Sequence, residues 1–138
     1  MNLSRLSQSL KKHEGVKALP YVDSEGHATV GVGHKLTEPL PESVIDLLLR
    51  ADMDKAIAEL DRAFFGWNVH NEARQEVLAE LSFNLGAPRL AGFIKFWKAL
   101  DRRDYNAAAD ELLDSLWAKQ VKGRAITLAE QMRTGECA

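Results

Sequence analysis

No glycine or proline interrupts the chain between Glu42 and Phe65. Within that run Ile45, Leu48, Leu49, Met53, Ala56, Ile57 and Leu60 fall on one helical stripe. The pattern predicts a helix of more than about 20 residues, long for a chain of 138. The flanking segments differ. Leu3, Leu6 and Leu10 recur at helical spacing and predict an amphipathic first helix ending near Glu14, where Gly15 suits a left-handed cap. Leu19–Val22 and Ala28–Val32 then read as short strands around the turn-rich tetrad Asp23-Ser24-Glu25-Gly26, predicting a small antiparallel sheet. Gly31 and Gly33 weaken the second strand and suggest close backbone packing or a substrate-facing edge. Pro39 and Pro41 punctuate a loop, with Pro41 suited to the first turn of the long helix.

Beyond Gly66 the pattern stays helical. Asn71 can cap a helix whose apolar face is Ala73, Val77, Leu78, Leu81 and Leu85, closed by Gly86 and Pro88. Shorter helices are expected over about 92–100, 104–114, 115–120 and 123–132. At this length the chain is one folding unit with room for two lobes. The hydrophobic share of 46% and charged share of 28% are those of an ordinary water-soluble protein. A net charge of −2 leaves no electrostatic footprint for nucleic acid. One cysteine, Cys137, excludes an internal disulfide. No histidine and cysteine spacing suggests a metal site. No run is long enough to span a membrane. Met1–Lys12 has no continuous apolar core of a signal peptide, so synthesis in the cytoplasm is expected.

Chemistry concentrates between Glu14 and His34. A helix ends at one carboxylate, Glu14. A turn carries a second, Asp23. A glycine-punctuated strand carries Thr29 and ends at His34. Two carboxylates on different elements, facing one gap, are what glycosidic bond cleavage needs: one gives a proton to the leaving oxygen while the other stays ionised. Glu14, the run Asp23-Ser24-Glu25-Gly26 and the run Thr29-Val30-Gly31-Val32-Gly33-His34 resemble the phage-type lysozymes, the glycoside hydrolase family 24 endolysins of the T-even phages. Phe83-Asn84-Leu85-Gly86, Gly92-Phe93, Trp117, Gly123-Arg124-Ala125 and Arg133-Thr134-Gly135 extend the likeness into the C-terminal part. The segment after His34 is shorter than in that family, as though a helix were missing.

The resemblance implies an α+β fold in a single domain over 1–138. It would have a small lobe with a short antiparallel sheet (about 12–40), a connecting helix (about 41–65) and a mostly helical C-terminal lobe (about 66–138), with the N-terminal helix 2–14 packing near the latter. It implies hydrolysis of the β-1,4 bond between N-acetylmuramic acid and N-acetylglucosamine in peptidoglycan, without a cofactor. In that scheme Glu14 is the general acid, with a pKa raised by partial burial, and Asp23 with Thr29 positions the attacking water, inverting the anomeric centre. The expected partners are peptidoglycan glycan strands, met by a monomer that reaches the wall through holin-dependent release or lysis. A lytic transglycosylase acting on the same bond and a catalytically silent wall-binding module are the alternatives.

Residue by residue, plainer roles compete with these. Asp23 is also a good turn former, and Thr29 an ordinary strand residue. His34 reads as structural, paired through the resemblance with Asp52; Asp54 is the competitor, on another face of the same helix. Phe83, Asn84 and Arg124 match substrate-cleft positions. Asn84 could equally cap its helix, and Arg124 could face solvent or orient Glu14. Trp97 and Trp117 fit a core better than a sugar platform, and Trp67 stays unassigned. His13 is expected to point away from the cleft, and His27 and His70 read as surface residues.

Overall fold

A computed structural model of the chain describes residues 1–137. Its internal packing divides the chain into two compact units, Met1–Leu47 and Leu48–Ala138.

The first unit opens with α1, Leu3–Glu14. Asn2 starts it by accepting the Arg5 amide on its side chain at 2.9 Å, satisfying one of the free donors at a helix start. The helix stops at Gly15, whose amide bonds Lys11 O at 3.0 Å and whose φ of +79° only glycine takes freely. Its ψ of 166° makes this an extended mirror-image conformation and not the left-handed cap anticipated.

A sheet of three antiparallel strands follows in the order β1-β2-β3: β1 Lys17–Val22, β2 Ala28–Gly31 and β3 His34–Lys35. The register of β1 on β2 slips between Lys17 and Tyr21. Pro20 lies in that interval and has no amide to give the ladder, which is why it is tolerated on an edge strand at a bulge. The third strand goes beyond the sequence expectation. Val30 pairs with His34, so the chain reverses over Gly31-Val32-Gly33, and the two glycines stand at φ +69° and +64°. His34 is therefore part of the sheet and not merely the residue after it.

The long helix α2 runs over Glu42–Ala63, and the division between units falls inside it. Pro41 O accepts the Val44 and Ile45 amides at its start. Of the apolar stripe only Ala56 and Leu60 are buried.

In the second unit a short 3-10 turn at Trp67–Val69 leads to α3, Glu72–Leu85, capped by the Asn71 side chain on the Arg74 amide at 3.0 Å. Its anticipated apolar face is buried throughout. Then come α4 Ala87–Ala91, α5 Ile94–Asp101, α6 Tyr105–Leu113, α7 Leu116–Val121 and α8 Gly123–Thr134. The separate α4 was not anticipated. Pro88, read as a stop, sits in the first turn of a new helix, where its missing amide costs nothing. Asp104 and Ser115 cap α6 and α7 through their side chains.

The core of this unit gathers Leu60, Leu78, Leu81, Leu90, Phe96, Leu100, Leu112, Trp117 and Met132. Ser82, buried among these helices, donates its hydroxyl to Ala56 O at 2.8 Å and so ties α3 to α2. His70, expected at the surface, is only 6% exposed. Its Nδ1 shares a hydrogen bond with Tyr105 Oη at 2.9 Å, and the Arg74 guanidinium lies over the Tyr105 ring. Burial, then the Arg103 and Arg74 charges, push the His70 pKa down, with Asp101 opposing. No helix among the described residues is long and apolar enough to cross a membrane.

Candidate active site

Asp23 opens the loop joining β1 to β2. Its own amide bonds His27 O at 2.9 Å, and its carbonyl accepts the Gly26 amide at 3.0 Å. Gly26, at φ +85°, lets the loop close this tightly. The side chain then turns back over the loop, and Oδ1 accepts the amides of Glu25 at 2.9 Å and His27 at 2.8 Å. The turn-forming role is thus real. It also fixes the electrostatics: the His27 amide, more than any other group, holds the Asp23 pKa below its ordinary 3.8. The Glu25 amide and the His27 and Lys35 charges act the same way, and partial burial opposes them. The result is an ionised carboxylate with Oδ1 occupied by backbone donors.

Thr29 is the second residue of β2, two after His27, and is 2% exposed, the only buried side chain among the described residues of Met1–Leu47. Its hydroxyl donates to His27 O at 2.9 Å. A hydroxyl that has spent its proton on a carbonyl can still accept a hydrogen bond. His27 therefore anchors both Asp23, through its amide, and Thr29, through its carbonyl. No sequence signal marked His27 for this, because the contacts use its backbone.

Glu14 is the last residue of α1, just past the basic run Lys11, Lys12 and His13. Those cations suit the negative end of the helix dipole, whereas Glu14 does not. Its own unit leaves Glu14 exposed, so the partial burial expected of it is not supplied there. Its carboxylate lies against the β2–β3 turn: a Cβ on Gly33 would stand 2.9 Å from Glu14 Oε2. The bare Gly33 backbone makes room for the carboxylate.

The remaining candidates are distributed over both units. His34 is on β3 and Asp52 on α2, in different units, and Asp54 pairs with Arg50 at 3.0 Å. In the second unit Phe83 and Arg124 line one groove of about 560 Å³, together with Met53, Ile57 and Glu80. Arg124 Nε donates to Glu80 Oε2 at 3.1 Å, a partner not foreseen from sequence. Asn84 does not cap α3; the Gly86 amide does so on Ser82 O at 2.9 Å. Asn84 Oδ1 instead accepts the Trp117 indole N–H at 2.7 Å, which leaves its amide donors for other partners. Trp117 is buried in the core, and Trp97 stacks on Phe64 with ring centroids 4.3 Å apart. Trp67 donates to Asp61 at 2.8 Å. No cluster of potential metal ligands occurs among the described residues.

Comparison with known proteins agrees with the motif. Over 163 residues the chain is 26% identical to "Probable T4-type lysozyme 2" of Dictyostelium discoideum, covering 96% of each. It is 32% identical over 136 residues to the "Endolysin" of Salmonella phage P22, covering 90% of this chain and 88% of that one. It is also 26% identical over 159 residues to the "Pre-baseplate central spike protein Gp5" of Enterobacteria phage T4, but there it spans only 28% of the relative's length. The family model described as phage lysozyme matches residues 11–135. By that match the chain belongs to the phage lysozyme family, and it is a lysozyme.

Proposed function

We propose that this lysozyme hydrolyses the β-1,4 bond between N-acetylmuramic acid and N-acetylglucosamine in peptidoglycan by a single inverting displacement. Glu14 protonates the leaving oxygen as an oxocarbenium-like state develops, and Asp23 with Thr29 holds the water that attacks the opposite face of the sugar. The observation that carries this reading is the shared anchor at His27, which keeps Asp23 ionised and turns Thr29 into an acceptor. A water between two acceptors points both its hydrogens at them and presents a lone pair outward, as a nucleophile must. Asp23 is held by two backbone bonds at Oδ1, which suits an orienting base better than a group that must swing in and bond to carbon.

Phe83, Asn84 and Arg124 are assigned to glycan contact. Asn84 has amide donors left for sugar hydroxyl or N-acetyl oxygens, and Phe83 is an exposed apolar surface for a ring face. The reaction needs no cofactor, and the chain acts as a monomer on wall strands. Digestion of purified wall followed by product mass analysis tests the reading. Reducing-end muropeptides support it. Anhydro-muramic ends would mean that the muramic 6-hydroxyl, and not a held water, attacks. No release at all would leave only a wall-binding role.

A further inference from the structure

The His27 side chain, in the β1–β2 loop, has no part in the scheme above. Its ring nitrogen Nδ1 is shielded from solvent and has no hydrogen-bond partner. Shielded polar atoms without partners are uncommon and costly. Two carboxylate oxygens flank this one, Asp23 Oδ2 at 3.7 Å and Glu25 Oε2 at 3.7 Å. Those distances are too long for hydrogen bonds, but a small rotation would close either if the nitrogen carried a proton. Glu25 Oε2 is already engaged by Lys35 Nζ at 3.5 Å. Among the described residues no other cation is within salt-bridge distance of Asp23 Oδ2, the oxygen that the two backbone bonds leave free, although the Lys35 charge acts on Asp23 from farther off.

We propose that His27 is a positioning residue for Asp23, whose imidazolium holds Oδ2 and so sets both the direction of that carboxylate and the pH range over which it stays ionised. The charged groups facing the ring are Asp23 and Glu25 from its own loop and Lys35 from β3. Coupling between two titrating groups is reciprocal: a protonated His27 favours ionised Asp23, and ionised Asp23 favours protonated His27 to the same extent. The role of this coupling in the reaction rests on the assignment of Asp23 above, whereas the coupling itself does not.

The test uses His27→Gln, which keeps the backbone anchors and a polar side chain but cannot carry the charge. Carboxyl-carbon NMR follows the Asp23 titration in both proteins, and wall-lysis rates are measured over the same pH range. The expected result is an Asp23 midpoint at higher pH in His27→Gln, with the acid limb of the activity profile displaced in the same direction and by the same amount. The reciprocal measurement is the His27 ring titration in Asp23→Asn, where the midpoint should fall. Unmoved midpoints in both variants would overturn the proposal. If both midpoints move while the acid limb stays in place, the His27–Asp23 coupling stands and the kinetic role of Asp23 fails. Should His27→Gln not fold, the Asp23→Asn titration decides alone.

Discussion

The Glu14 carboxylate occupies the space that a side chain on Gly33 would need. A Cβ there would fall 2.9 Å from Oε2 and 3.3 Å from Cδ of Glu14. Gly33 is also at φ +64°, so its missing side chain serves the turn and the neighbouring acid together.

Gly33→Ala should therefore do two separable things. A left-handed alanine costs about 1–2 kcal/mol of stability. The contact also forces the Glu14 carboxylate to a new place, because the far end of a side chain gives way before backbone does. Melting curves will show the first effect, and wall lysis well below the melting temperature the second. Full activity at that temperature would mean that Gly33 serves only the turn.

Thr29 separates shape from chemistry. Thr29→Val keeps the buried volume but removes the acceptor and one of the two bonds to His27 O, which the Asp23 amide still holds, at a cost of about 0.5–1.5 kcal/mol. Thr29→Ser keeps the hydroxyl. Lysis rates should fall about a hundredfold or more in the valine variant, the low end of what a group managing proton transfer contributes, and much less in the serine variant. Equal rates in the two would take the hydroxyl out of the reaction.

The anomeric outcome follows from a held water. An inverting site needs carboxyls about 6.5–9.5 Å apart to admit it, against about 5–5.5 Å for direct attack. NMR of fresh product should show the α-anomer from the β-linked substrate. A first-formed β-anomer would make Asp23 a nucleophile and leave Thr29 without its assigned part.

Two groups give stability a pH dependence of the same sign. His70 has a folded pKa below its ordinary 6.5, so the unfolded chain binds the proton more readily. Stability is unaffected by it above that value and is lost as pH falls from 6.5 through the folded pKa. Asp23, lowered from 3.8, contributes fully above that value and loses its contribution as pH falls further, through its own folded pKa. Melting temperature should drop on acidification below neutrality, and His70→Gln should remove the first part of the drop. An unchanged slope in that variant would place the acid sensitivity elsewhere.

Much of this architecture was legible because its signals are local. The helix periods and the Asn71 cap each act within a few residues. So does the Thr29 to His34 motif that points to the family. What escaped sequence reading depends on distant or backbone partners. His70 is buried because Tyr105, 35 positions on, meets its ring. Arg124 turns to Glu80, 44 positions away. β3 is two residues long, too short for any alternation to show. The part of His27 escapes the sequence because its hydrogen bonds to the two candidate catalytic groups run through its amide and carbonyl.

In the proposed reaction Glu14 supplies the proton. Glu14→Gln keeps the size and hydrogen-bonding reach of the side chain while removing the transferable proton. General acid catalysis is worth roughly two to four orders of magnitude, so wall lysis by the variant should fall by about that much while its melting curve stays cooperative. A folded Glu14→Gln protein that kept more than about a tenth of the wild-type rate would mean that another residue donates the proton.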